Sequence, residues 1–265
     1  MIINVPNFNP VAFSLSIIEV RWYSLAYIFG ILYSYQFLKF SNKKYNFISL
    51  KALEDWMLYA ILSILIGGRI GYVLFYNLSY FIENPIEILA FWHGGMSFHG
   101  GLIGAVLGMW LFSKKYNLNL WNILDNLAVS APFALMLGRI ANFINLELYG
   151  RTTSGNYGFI FPNSDLLPRH PSQLYQASLE GFTLFIILTI CFFKTDFFKK
   201  PKKLSGIFAV GYGISRLIVE FFRQPDPQIG LIFNLFSMGQ ILSFPIIIFG
   251  FFLIFFSNKK SKFNI

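Results

Sequence analysis

The stretch NILDNLAVSAPFALMLGRIANF, residues 122–143, decides the fold. Asp125 and Asn126 stand near one end of it, and Arg139 and Asn142 near the other. Between them lie enough apolar residues to cross a hydrocarbon core about 30 Å thick. Counting this stretch as a span makes the chain's charges consistent. All fourteen lysines fall in short polar stretches: Lys39 to Lys51, Lys114 and Lys115, Lys194 to Lys203, and Lys259 to Lys262. With the stretch included, every one of these stretches lies on one side of a bilayer. Without it, Lys114 and Lys194 fall on opposite sides. Lysine-rich loops stay cytoplasmic, so the N-terminus is expected outside the cell membrane and the C-terminus inside.

Composition agrees. Of 265 residues, 55% are hydrophobic and 12% charged, against about 25% charged in soluble domains. Mean hydropathy is +0.57. The net charge of +9 follows the topology pattern rather than a nucleic-acid patch, and no nucleic-acid partner is expected. The pattern predicts an all-α integral membrane protein, a bundle of seven helices spanning about 20–38, 56–76, 96–113, 122–143, 173–193, 205–222 and 237–257. These form a single transmembrane domain over 1–265, with a small irregular extracytoplasmic cap at about 144–172, rich in Gly and Pro. The first residues carry no basic run or small-residue cleavage site, so they are expected to be retained. Cys191 has no cysteine partner and sits toward the cytoplasmic end of its span.

Within the apolar runs, polar groups are confined to a few places. An arginine at mid-helix costs about 2.5–3.5 kcal/mol on insertion scales. It must therefore pair, line a wet cavity or snorkel to the interface. Tyr212, Arg216 and Glu220 are spaced by four and share one helical stripe. They form either a self-satisfied pair that ties a bundle together or part of a site. Arg139 and Asn142 share a face in the same way, as an interfacial anchor or as a site. Glu147 reaches Arg139 only if the chain turns back. Arg21 reads as an anchor beside Trp22, and Arg69 is open between the two roles. His99 begins a span and is open between packing and catalysis. His93 reads as interfacial, and His170 as a helix-end residue. Gly67 and Gly71, and Gly100, Gly104 and Gly108, repeat every four residues, a spacing that allows close helix packing. Gly94 and Gly95 stand where the chain could bend.

Several chemistries are set aside. No HExxH, GxSxG or P-loop motif occurs. No carboxylate pair is evident within the spans. Three scattered histidines and one cysteine do not compose a metal site, and no cofactor is expected. A transporter or channel with an intramembrane Arg–Glu site remains the alternative from a different class. It calls for polar residues along a path through both leaflets, whereas here they gather toward the outer half.

The segment GRIANFINLELYG (138–150) resembles the signature of the prolipoprotein diacylglyceryl transferase family at every fixed position: Gly-Arg, Ala, Asn-Phe, an apolar residue, Asn, Glu and a final Gly. Similar blocks run through the chain: RWYSLAYIFG (21–30), GGRIGYVLFYN (67–77), GGMSFHGGLIG (94–104), RHPSQLYQ (169–176), YGISRLIVEFFRQPD (212–226) and SMGQILS (237–243). One departure is a short segment between Arg151 and Arg169. The resemblance implies a seven-helix enzyme of the bacterial cytoplasmic (inner) membrane. It would transfer the diacylglyceryl group of phosphatidylglycerol to the lipobox cysteine of a prolipoprotein signal peptide, forming a thioether and releasing glycerol 1-phosphate.

That chemistry gives the polar residues expected roles. Fixed cations must stabilise the charge on the phosphate leaving group, and a guanidinium pairs bidentately with phosphate. Arg139 and Arg216 are expected on the lipid phosphate, with Asn142 and Tyr212 donating nearby and Glu220 orienting Arg216. A free thiol has pKa near 8.5, so His99 is the expected base; the rival is a cationic field that alone lowers the thiol pKa. By resemblance, Tyr23 joins the catalytic set, and Asn145, Glu147, Gly150, Arg69, Tyr72, Gly94 and Gly100 join the substrate-binding set.

Overall fold

The computed structural model describes residues 1–15, 18–153, 155, 157–162, 164–225, 231–232 and 235–257. The predicted C-terminal lysine cluster, Lys259 to Lys262, lies outside them. The described chain is mostly helical, with α1 (Trp22–Tyr45), α2 (Leu50–Tyr76), α3 (Leu78–Glu83), α4 (Phe98–Lys115) and α5 (Leu120–Ile144). It continues through α6 (Ser172–Gln176), a π-helical turn Ala177–Thr183, α7 (Leu184–Lys194), α8 (Lys203–Glu220) and α9 (Met238–Phe255). Four helical runs are long and apolar enough to cross a membrane: Leu50–Tyr76, Leu120–Ile144, Ser172–Lys194 and Met238–Phe255. The stretch that opened the sequence reading is among them. Helices α1, α4 and α8 fall outside this set. Lys39, Lys43 and Lys44, Lys114 and Lys115, and Lys203, Arg216 and Glu220 lower their apolarity.

The chain divides into two compact units, residues 1–37 with 125 onward, and residues 38–124. In the second unit α2 packs on α4 through glycines. A Cβ on Gly67 would stand 2.7 Å from Cα of Gly104, and one on Gly71 would stand 2.7 Å from Cα of Gly100. The two backbones therefore touch where side chains are missing, as the four-residue glycine spacing predicts. Ser97 caps α4, accepting from the amide of Gly100 at 3.2 Å.

In the first unit α8 packs on α9 by the same device. A Cβ on Gly250 would meet the amide nitrogen of Val210 at 2.8 Å and the carbonyl of Gly206 at 2.9 Å. The expectation of a purely helical protein needs one amendment. Among the described residues there are three two-stranded pairings. Ile2–Asn4 runs parallel to Gly158–Ile160, Val11–Leu15 pairs with Ile18–Arg21, and Leu231–Ile232 pairs with Phe236–Ser237. The first pairing recruits the N-terminal residues to the 144–172 segment. There Val5, Leu146 and Phe161 form a small buried core, with Phe143, Tyr149 and Phe159 against it. Segments beyond the helices have backbone groups without helical partners, and strand pairing satisfies them.

Candidate functional site

The site in the first unit is built by three helices that reach one carboxylate. Gly181, in the π-helical turn, lies against α5: a Cβ there would stand 2.8 Å from Cα of Met136. This close approach brings the neighbouring Glu180 to Arg139, one turn beyond Met136 on α5. Glu180 Oε2 lies 3.2 Å from Arg139 Nη2. Its other oxygen, Oε1, lies 3.8 Å from Arg216 Nη1 on α8. Glu180 is fully buried, and the Arg216 side chain is 13% exposed. The π turn fits this role, because such turns widen a helix locally and concentrate at functional sites.

Arg216 is also held within its own helix, with Nη2 2.5 Å from Glu220 Oε1. Arg223 Nη1 reaches the same Glu220 oxygen at 3.3 Å. The second Glu220 oxygen accepts from Ser237 Oγ at 2.7 Å. Ser237 and Gln240 form a capping box at the start of α9, so the helix end and the ion cluster share one hydroxyl. Gly239 leaves room here: a Cβ would stand 2.5 Å from Cδ of Glu220. Tyr212 lies within electrostatic reach of Glu180, Arg216 and Arg139. The Arg216–Glu220 pair is therefore one part of a five-residue network, not a self-contained pair.

One expectation is corrected here, and one open reading is decided. The helices do hold a carboxylate pair, Glu180 and Glu220, bridged by Arg216. Arg139 pairs with Glu180 and not with Glu147. The chain does turn back after α5, through Leu146 and Leu148, both with φ 58°. Such a conformation in a branched non-glycine residue is strained, costing about 1–3 kcal/mol. The turn sends Glu147 to Asn142, whose Nδ2 donates to Glu147 Oε1 at 2.8 Å. Asn142 Nδ2 also reaches the Tyr23 hydroxyl at 3.5 Å. Oδ1 of Asn142 and Oδ1 of Asn145 are buried without a hydrogen-bond partner among the described residues.

Gly150 closes the motif where three backbones meet. Its amide donates to the His170 carbonyl at 2.8 Å, and Arg151 N donates to the Phe222 carbonyl at 2.8 Å. Arg151 Nε donates to the carbonyl of Arg223 at 3.0 Å. The signature is thus tied to the turn after α8 that carries Arg223. His170, just before α6, packs edge-on to Phe222 and meets the Tyr175 hydroxyl at 3.2 Å. Its burial holds the imidazole pKa below the usual value.

The second unit holds Arg69, Tyr72, Gly94, His99 and Gly100. Arg69 is 3% exposed. Nε donates to Ile88 O at 3.0 Å, and Nη1 donates to Gly95 O at 3.2 Å and also to Gly94 O. Nη2 donates to Ala90 O at 3.2 Å and also to Glu87 O. All five N–H groups of a guanidinium are thereby engaged by backbone carbonyls. Gly94 and Gly95 have φ of 79° and 77°, so the bend that the glycines suggested is present. A Cβ on Gly95 would stand 2.5 Å from the Tyr72 ring. His99 is exposed in the first turn of α4, and Gly100 packs against Gly71. His93, exposed, contacts Glu87 at 2.7 Å.

Sequence reasoning missed Glu180, Gln173, Gln176 and Ser237. Glu180 had a signal: it is the one acidic residue in the apolar run 173–193, and an intramembrane ionisable group is a functional candidate by default.

Apolar helices of spanning length together with a buried Arg–Glu cluster define the class, a polytopic helical membrane protein with a charged internal site. The family model of prolipoprotein diacylglyceryl transferase matches residues 10–256. The chain belongs to this family and is a transferase. It is 50% identical over 256 residues to the phosphatidylglycerol–prolipoprotein diacylglyceryl transferase of Rickettsia rickettsii (strain Sheila Smith), covering 96% of this chain and 99% of the relative. Proteins of the same name from Rickettsia typhi and Rickettsia bellii are each 49% identical. The match covers 97% of this chain and 99% of the former, and 94% of this chain and 95% of the latter. These matches do not favour the transporter or channel reading.

Proposed function

We propose that this chain transfers the diacylglyceryl group of phosphatidylglycerol to the lipobox cysteine of a prolipoprotein signal peptide, in the bacterial inner membrane. The thiol sulfur bonds to the terminal glyceryl carbon of the lipid. The carbon–oxygen bond to phosphate breaks, and the electron pair leaves with glycerol 1-phosphate. The thiol proton passes to a base.

The observation that carries this reading is the convergence of Arg139 and Arg216 on Glu180. In the buried cluster three guanidiniums, of Arg139, Arg216 and Arg223, face two carboxylates, of Glu180 and Glu220. Preorganised cations in a low-dielectric site stabilise a developing phosphate charge far better than water-exposed ones. Glu180 and Glu220 hold the forks in place, so little reorganisation is needed as the bond breaks. Tyr23, Asn142, Asn145 and Tyr212 add hydrogen-bonding groups, and Glu147 orients Asn142.

His99 takes the thiol proton. Arg69 acts at one remove, by fixing the Gly94–Gly95 bend beside Tyr72 through its carbonyl contacts. Gly100 contributes by bringing α2 and α4 together, and Gly150 by seating the signature under Arg223. Helices α1, α4 and α8 also cross the bilayer, giving one domain of seven spans. The N-terminus and the 144–172 cap lie outside the cytoplasm, and the C-terminus inside, in keeping with the lysine distribution.

The test uses purified protein in detergent with phosphatidylglycerol and a lipobox peptide. Thioether product with released glycerol phosphate is expected, and Arg139→Ala should lose it while staying monodisperse. Full activity in Arg139→Ala sinks the phosphate assignment. A pH–rate profile of His99→Gln separates the base from the cationic field: an unchanged rate and profile removes His99 from the mechanism.

A further inference from the structure

One side of the α6 segment carries buried polar atoms that the ion cluster does not use. Gln176 is 1% exposed, and among the described residues neither its Oε1 nor its Nε2 has a hydrogen-bond partner. Oε1 of Gln173 is also without one among the described residues. Yet both ends of this stripe are anchored. Gln173 Nε2 donates to the Glu147 carbonyl at 2.6 Å, and Glu180 holds Arg139 at 3.2 Å. Spacings of three and four residues put Gln173, Gln176 and Glu180 on one face. Gln176 therefore lies one turn from Glu180, which holds the arginine pair, and one turn from Gln173, which holds the signature motif.

A buried carboxamide with donor and acceptor both unmatched is rare in native proteins, because each unmatched group weighs against folding. Such a group suits a ligand that offers a donor and an acceptor together. We infer that Gln176 reads the two hydroxyls of the glycerol headgroup, Oε1 accepting from one and Nε2 donating to the other. This rests on the proposed transfer from phosphatidylglycerol. In that reaction the headgroup glycerol lies across the phosphorus from the bond that breaks. It leaves still attached to phosphate, and its hydroxyls take no part in the bond change. Chemistry alone does not require them, so a preference for them must come from protein groups just beyond the phosphate site. A neutral carboxamide meets a diol with both its donor and its acceptor, whereas an ammonium headgroup, a donor only, leaves the carboxamide N–H unmatched. Sites that hydrogen-bond a substrate hydroxyl discriminate strongly against analogues lacking it.

The experiment compares two donors in detergent with a lipobox peptide: phosphatidylglycerol, and phosphatidylpropanol, which carries the same charge without free hydroxyls. Wild type should favour phosphatidylglycerol in kcat/KM by about tenfold or more. In Gln176→Leu the ratio should fall toward one, mainly through KM for phosphatidylglycerol. Gln176→Met, closer in shape, should do the same if the leucine variant does not fold. Gln176→Glu, which keeps the acceptor, should retain part of the preference. A wild-type ratio near one overturns the inference. So does a wild-type ratio preserved in either apolar variant, or an equal loss on both donors in both variants, which marks a packing role. Wild type inactive with phosphatidylglycerol would instead sink the transfer reaction itself.

Discussion

Glu180 Oε2 meets Arg139 Nη2 at 3.2 Å across forty-one residues of sequence. Its carboxylate is fully buried, while the Arg139 side chain keeps 19% exposure. Removing one partner of such a pair leaves an uncompensated charge and costs about 3–5 kcal/mol. Glu180→Leu should therefore lower the unfolding midpoint in detergent as well as activity. Glu180→Gln keeps the shape and one acceptor, and should lose less stability but still most turnover. Paired melting curves and peptide-lipidation rates check both. Stability and activity at wild-type levels in Glu180→Leu would remove Glu180 from the cluster.

Arg69 behaves differently, because its partners are backbone carbonyls between Glu87 and Gly95. Arg69→Ala orphans five hydrogen bonds in a buried site, a loss of about 3 kcal/mol or more. Arg69→Lys restores charge but not the planar fork, and should recover only part. The expected signature is faster proteolytic cleavage within residues 85–95 in both variants. Wild-type resistance to protease in Arg69→Ala would contradict a clamp.

These two arginines mark what a sequence can disclose. The Tyr212–Arg216–Glu220 stripe was legible because its spacing is local and helical. The glycine faces were legible for the same reason, and so was the helix over Leu120–Ile144, whose ends carry its polar residues. The partners of Arg69 are carbonyl groups of a bend, and every residue has one, so no residue type announces them. Glu180 meets Arg139 only once the π turn and Gly181 bring α5 close. The reversal through Leu146 and Leu148 puts two leucines at positive φ, where sequence preference points to glycine or asparagine. The parallel pairing of Ile2–Asn4 with Gly158–Ile160 joins segments more than 150 residues apart, and neither carries a turn signal for the other.

Gly150 offers a test of backbone proximity. A Cβ there would stand 2.6 Å from the His170 carbonyl oxygen and 2.7 Å from His170 Cβ. The first of these is backbone, fixed by the amide–carbonyl bond from Gly150 itself. Overpacking of this kind costs about 1–3 kcal/mol, and more where the neighbour cannot move. Gly150→Ala should thus separate the 150–151 segment from Phe222 and shift Arg223. Activity should fall more than tenfold (about 1.4 kcal/mol at the barrier). Hydrogen exchange at the Arg151 amide should quicken with it. Unaltered exchange and turnover would show that the three backbones have room to spare.

His170 makes stability depend on pH. Burial lowers its pKa in the folded protein below the ordinary histidine value, which is about 6.5. As pH falls through 6.5 the unfolded chain takes up a proton that the folded chain resists. Unfolding then binds protons, so stability drops with falling pH, and the contribution is fully present only above 6.5. His170→Phe keeps an aromatic ring against Tyr157 and Phe222, whose centroids lie 5.6 and 5.0 Å from the imidazole. It forgoes the 3.2 Å contact with Tyr175 and removes the titrating group. Melting curves between pH 7.5 and 5.5 should show a steeper decline for wild type than for His170→Phe, even if the variant is less stable throughout. Equal slopes would mean that the imidazole is as easily protonated in the folded protein as in the unfolded chain.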